Sequence, residues 1–176
     1  MGASTPGDVA HLVHRERRLS RRAVIFWRSL RRVRGFPSML DFRPERLPFD
    51  WNDCFVLEVD GHRQDPLFDF VGAAFDLDGG GELAGQPASR APGDTLLQRV
   101  SGAWPACCDA GLPVQVSGGF RHRAGHAVLH RSVLLPFTRE GRRLDYLVGA
   151  TSHHTAAQVP ENPEPEAVTA IADDDP

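Results

Sequence analysis

The chain has 176 residues and an apolar share of 41%, which suits a single domain with one core. Its 20 basic residues are all Arg and its 23 acids leave a net charge of −3, so the whole chain is not a basic nucleic-acid binder by composition. No apolar run approaches the ~20 residues of a membrane-spanning helix, and residues 1–25 lack the apolar stretch of a secretory signal.

Charge is unevenly spread. Residues 1–34 hold nine Arg against Asp8 and Glu16, a net +7, and the remainder carries −10. A basic arm on an acidic body can steer an acidic partner, a membrane surface or nucleic acid, or fold back on its own acidic domain or tail. The cysteines are Cys54, Cys107 and Cys108, an odd number with two adjacent. That suits neither a disulfide framework nor a four-ligand zinc site, and a reducing cytoplasm is the simplest compartment.

In chain order, residues 1–10 read as a disordered start. Residues 11–36 read as an Arg-rich amphipathic helix. Leu12, Leu19, Ala23, Phe26, Trp27, Leu30 and Val33 recur at three- and four-residue steps until Gly35 and Pro37 stop it. A Pro-punctuated connector leads to two strands, Cys54 to Val59 and Leu67 to Ala74. Residues 76–93 carry Gly79, Gly80, Gly81 and Gly85 and read as a loop with a mobile backbone. Asp94 is the expected N-cap of a central helix with Leu96, Leu97, Val100, Trp104, Cys107 and Cys108 on one face, kinked at Pro105 and ended by Gly111. Three further strands, Pro113 to Phe120, Ala127 to Phe137 and Leu144 to Thr151, are joined by tight turns. Residues 156–176 contain four Pro and six acids without an aromatic, the composition of a disordered acidic tail.

No residue set has the makings of a catalytic centre. Gly79 to Gly81 lacks the Gly-Lys-Ser/Thr end of a phosphate loop, and Asp76 and Asp78 lack the later ligands of a calcium loop. Ser101 and Ser117 have no nucleophile-elbow setting. His122, His126 and His130 would share a face on a helix, but Gly125 and the alternation around them point to a hairpin, so no metal site is assigned.

Several segments in a sensible order nevertheless resemble the PAS domain family, in its compact bacterial single-domain form. They are Phe26-Trp27-Arg28-Ser29-Leu30, Gly35-Phe36-Pro37, Phe70-Val71-Gly72, Gly111-Leu112-Pro113-Val114, Leu134-Leu135-Pro136-Phe137 and Asp145 to Ala150, across roughly residues 20–152. The resemblance implies an α+β fold over residues 37–155: a five-stranded antiparallel sheet with flanking helices from the middle of the chain. The N-terminal helix would pack on the sheet's other face or against a second subunit. Phe70, Leu97, Val100, Trp104, Val116 and Leu135 become candidates to line a small pocket. The resemblance also implies sensing of a small ligand or docking of a signalling partner. In haem-binding relatives a His on a nearby helix holds the iron. No His lies between Gly85 and Gly111, which leaves Cys107 or Cys108 as the only nearby ligand. The Asn-Cys-Arg core of the flavin-binding relatives is missing.

The expectation is therefore a non-enzymatic, cytoplasmic PAS-type regulatory module that acts through protein–protein interaction in bacterial signal transduction. No cofactor is expected, and the partner is a signalling protein or a second copy in a homodimer. Phe26, Trp27, Leu30 and Arg31 are the candidate contacts, because aromatic residues and Arg dominate interface hot spots. A small-ligand or haem sensor and a basic-arm nucleic-acid regulator are the alternatives. The second is disfavoured, since no helix-turn-helix or RNA-binding aromatic motif accompanies the arm.

Overall fold

The computed structural model describes residues 19–31, 35–61, 64–140, 142–156 and 166–172. The chain is α+β. Its strands are β1 (Cys54–Glu58), β2 (Leu67–Val71), β3 (Val114–Arg121), β4 (Ala127–Phe137), β5 (Tyr146–Ala156) and β6 (Ala167–Ala170). They form one sheet in the order β2-β1-β5-β4-β3-β6, and every neighbouring pair is antiparallel. Helix α1 spans residues 19–30. Helices α2 (Leu96–Ser101) and α3 (Trp104–Ala110) lie in the connection between β2 and β3.

Both faces of the sheet are covered. This is why β1 reads as a continuous apolar run, while β3 alternates buried and part-exposed residues along most of its length. On one face Phe55, Leu57, Val116, Leu134 and Leu147 pack with Leu97, Val100 and Cys107 of α2 and α3. On the other, Val56, Val133, Leu135, Phe137 and Val148 pack with Leu19, Ala23, Val24 and Trp27 of α1. The apolar spacing of α1 is thus spent on its own sheet. A helix of this length is marginal in water without such packing. The helix ends at residue 30 and Arg31, Gly35 and Phe36 are not helical, so it stops short of the expected residue 36. Pro37 then enters a short backbone pairing, in which Thr138 N donates to Pro37 O and Met39 N to Thr138 O.

Four further expectations are corrected. The sheet has six strands rather than five. The sixth comes from residues 167–170, placed by composition in a disordered tail; residues 157–165 and 173–176 lie outside the described set. The central helix is two helices, because the chain turns at Gly102 and Ala103 and Pro105 then stands in the first turn of α3, where its missing N–H costs nothing. Its N-cap is Thr95, whose Oγ1 accepts from Gln98 N at 3.2 Å; Asp94 instead takes a left-handed backbone with φ 54°. The Gly-rich connection contains three 3-10 turns (Ala73–Asp78, Gly80–Glu82 and Ala88–Arg90) and buries Phe75, Leu83 and Ala88 against the core. Residues 11–18 and 32–34 of the expected N-terminal helix, like residues 1–10, lie outside the described residues.

Gly111 ends α3 in the left-handed conformation, as expected. Residues 85–88 run along the outer side of β2, with Phe68 N donating to Gln86 O and Gly85 N to Phe68 O, and β6 runs along the outer side of β3 as the last strand on that side.

Candidate functional site

The candidate contacts on α1 mostly face inward. Trp27 is 1% exposed and its Nε1 donates to Pro136 O at 2.6 Å. Phe26 and Leu30 are half-buried against the same cluster. Arg31 lies 5.0 Å over the Trp27 ring and its Nε donates to Gly35 O. What α1 turns outward is Arg21, Arg22, Ser29 and Ile25, the last 54% exposed.

The candidate pocket residues do not surround one space. Leu97, Val100 and Val116 are fully buried on the α2/α3 face, with half-buried Trp104 beside them. Leu135 is fully buried on the α1 face, and Phe70 is half-buried there, stacked on Trp51 at 4.3 Å. Period-2 alternation divides them: Leu134 faces α2 and α3, so its neighbour Leu135 must face α1. Between the mid-chain segments and the sheet, the interior is occupied by Phe55, edge-on to Phe68 at 6.1 Å and to Phe75 at 5.8 Å.

A polar cluster lies where the β3–β4 hairpin meets the N-terminus of α2. Asp78 and His122 are both buried, with His122 Nε2 2.9 Å from Asp78 Oδ1. Ala124 N donates to His122 Nδ1, so that nitrogen is the acceptor and Nε2 carries the proton that goes to Asp78. Asp78 Oδ2 accepts from Leu97 N at 2.8 Å. Both ring nitrogens and both carboxylate oxygens are thereby engaged, and the pair clips the 3-10 turn to the hairpin and to α2. His126 stacks on His122 at 4.6 Å. His130 is buried apart from them, with Nδ1 3.1 Å from Ser132 Oγ; burial first, then His153 and Arg99, push its pKa down to about 4. Among the described residues no three His, Cys, Asp or Glu side chains are grouped to hold a metal ion.

Cys54 and Cys107 are buried thiols, whereas Cys108 is half-buried. Burial pushes Cys107 up first, with the neighbouring Cys108 adding to it, and its Sγ donates to Leu112 O and Leu134 O. Burial pushes Cys54 up in the same way. A protonated, hydrogen-bonded thiol is a poor thiolate ligand.

Arg99 is the hub of the outer part of this region. Its guanidinium lies 4.9 Å over the Phe120 ring and meets Asp94 Oδ1 at 3.3 Å and Glu166 Oε2 at 3.0 Å. An open cleft of about 500 Å³ beside it is lined by Asp94, Gln98, Ala103, Glu166 and Val168 among others. Sequence reasoning weighed Asp78 and His122 only as metal ligands, and it missed their pairing and the roles of Arg99 and Glu166, because the partners lie 19 to 67 positions away. Two signals were present: Val168-Thr169 and Ile171 are strand formers in an otherwise acidic tail, and Gly118-Gly119 inside a strand marks a close backbone approach. No described helix is long and apolar enough to cross a membrane. No protein-family model, no curated protein and no solved structure matches the chain.

Proposed function

We propose that the chain is a non-enzymatic PAS-type regulatory module that works in the cytoplasm, in bacterial signal transduction, by binding another protein. The observation that carries this reading is the layer plan. Antiparallel strands are covered on one face by the mid-chain helices and on the other by the N-terminal helix, as the family resemblance implies. The Phe55, Phe68 and Phe75 rings occupy the interior of the helix-covered face, which favours a module that signals through its surface over one that encloses a ligand. Three free cysteines fit a reducing compartment.

The partner surface we favour is the outer side of α1. There Ile25 stands exposed beside Arg21 and Arg22, an apolar anchor in a basic setting. Proteins captured on the wild-type chain are purified and titrated against it and against Ile25→Glu. Saturable binding weakened at least about tenfold by Ile25→Glu, with unchanged circular dichroism, supports the reading. Binding only to nucleic acid, with a steep salt dependence, overturns it in favour of the basic-arm alternative.

A further inference from the structure

We propose that the outer edge of β3 is a strand-docking site, and that residues 166–172 are its detachable ligand, which a second copy of the chain can donate. The proposal is independent of the PAS-type reading. β6 pairs with β3 through Ala167↔Ser117, Val168↔Val116, Thr169↔Gln115 and Ala170↔Val114, and all four of its residues are exposed. It is therefore held by its backbone and its ends, in the way an added peptide strand is held on a sheet edge.

Each end has a charged clasp from a different layer. At the start, Glu166 meets Arg99 of α2 at 3.0 Å. At the finish, Arg28 of α1 donates to Ala172 O at 2.6 Å, and Ile171 N donates to Pro113 O at 2.8 Å. Ile171 adds a partly buried side chain against the α1 cluster. β3 itself is shaped for the visitor. A Cβ on Gly118 would meet Glu166 Cα at 3.0 Å, Glu166 N at 3.4 Å and Glu166 Cβ at 3.5 Å, so its three nearest neighbours all belong to the docked segment. The site thus selects an extended segment led by an acid and ended by an aliphatic side chain.

The occupant follows from identity. Every contact that holds the chain's own segment is available to the same segment of another molecule. Nine residues of sequence separate β5 from Glu166, and a segment joined covalently to its site over so few residues has an effective concentration on the order of millimolar. A segment whose intrinsic Kd lies below that concentration stays docked in its own molecule when dilute and exchanges between molecules when the chain itself approaches it.

The test uses a chain ending at Pro165 and a synthetic peptide of residues 166–172 carrying a fluorophore. The shortened chain is expected to keep a cooperative melt and to bind the peptide saturably, with a Kd below the roughly millimolar effective concentration of the attached segment. Glu166→Arg in the peptide should weaken binding about three- to fivefold, and Arg99→Glu in the chain should restore it. Gly118→Val should abolish binding without unfolding the shortened chain. In a second arm, full-length and shortened chains are mixed at high concentration, where a one-to-one complex dependent on Gly118 is expected. If the shortened chain does not fold, β6 is an integral strand and the proposal is wrong. Failure of a folded shortened chain to bind the peptide overturns docking, and absence of the mixed complex overturns donation by a second copy.

Discussion

Gly149 stands directly across from Phe55 in the β1–β5 pairing, and the Phe55 ring lies where a Cβ on residue 149 would have to be. The glycine lets the ring lie down on the sheet, from where it reaches both Phe68 and Phe75. Gly149→Ala should therefore cost about 1–3 kcal/mol, read as a shifted urea midpoint at constant slope. Combined with Phe55→Leu, the loss should be smaller than the sum of the two, because the pair shares one space. Additive losses would mean that the ring has somewhere else to go.

Trp27 joins packing and a directed hydrogen bond in one side chain. Trp27→Phe keeps most of the ring and removes the donor to Pro136 O, for a loss of about 0.5–1.5 kcal/mol. Trp27→Ala should cost about 3–5 kcal/mol. Trp27 should also contribute the most blue-shifted emission of the three Trp, seen as the difference between wild type and Trp27→Phe. Red-shifted emission from Trp27 would place α1 off the sheet.

Much of the sheet was legible because strand period and turn chemistry are local. β4 falls on the expected residues, and the left-handed Gly125 makes the expected hairpin turn. β5 runs on to Ala156 because its partner β4 extends to Ala127 and pairs with it all the way. What failed was non-local. Thr95 displaced Asp94 as N-cap because Asp94 O is taken by Arg123 N, far along the chain. β6 was hidden because composition reports whether a segment can bury apolar surface, whereas this one is held by a backbone ladder and two Arg. The pocket candidates came from the family resemblance, which does not say which face of the sheet each residue takes in this chain.

His130 makes stability depend on pH. Its unfolded value is near 6.5, and burial, followed by His153 and Arg99, holds the folded value near 4. Between these the unfolded chain binds a proton that the folded chain refuses, so this contribution is whole above pH ~6.5 and is lost as pH falls toward 4. The loss is on the order of 3 kcal/mol. Melting at pH 7 and pH 4.5 should show a smaller drop for His130→Gln than for wild type. Equal drops would assign the acid sensitivity to other groups.

Asp78 and His122 should be coupled. Asp78→Ala leaves the His122 Nε2 proton and Leu97 N without their acceptor, at a cost of about 2–4 kcal/mol. His122→Ala frees one Asp78 oxygen and Ala124 N. The double variant should fall short of the sum by about 0.5–3 kcal/mol in a denaturation cycle. Simple additivity would contradict the clip.

Native mass spectrometry of the chain drawn from the cells that make it tests the central claim most directly. The account predicts a 19.3 kDa polypeptide in complex with another polypeptide, carrying no stoichiometric small molecule. A monomer retaining one haem, flavin or other small ligand per chain would contradict it and make the protein a ligand sensor.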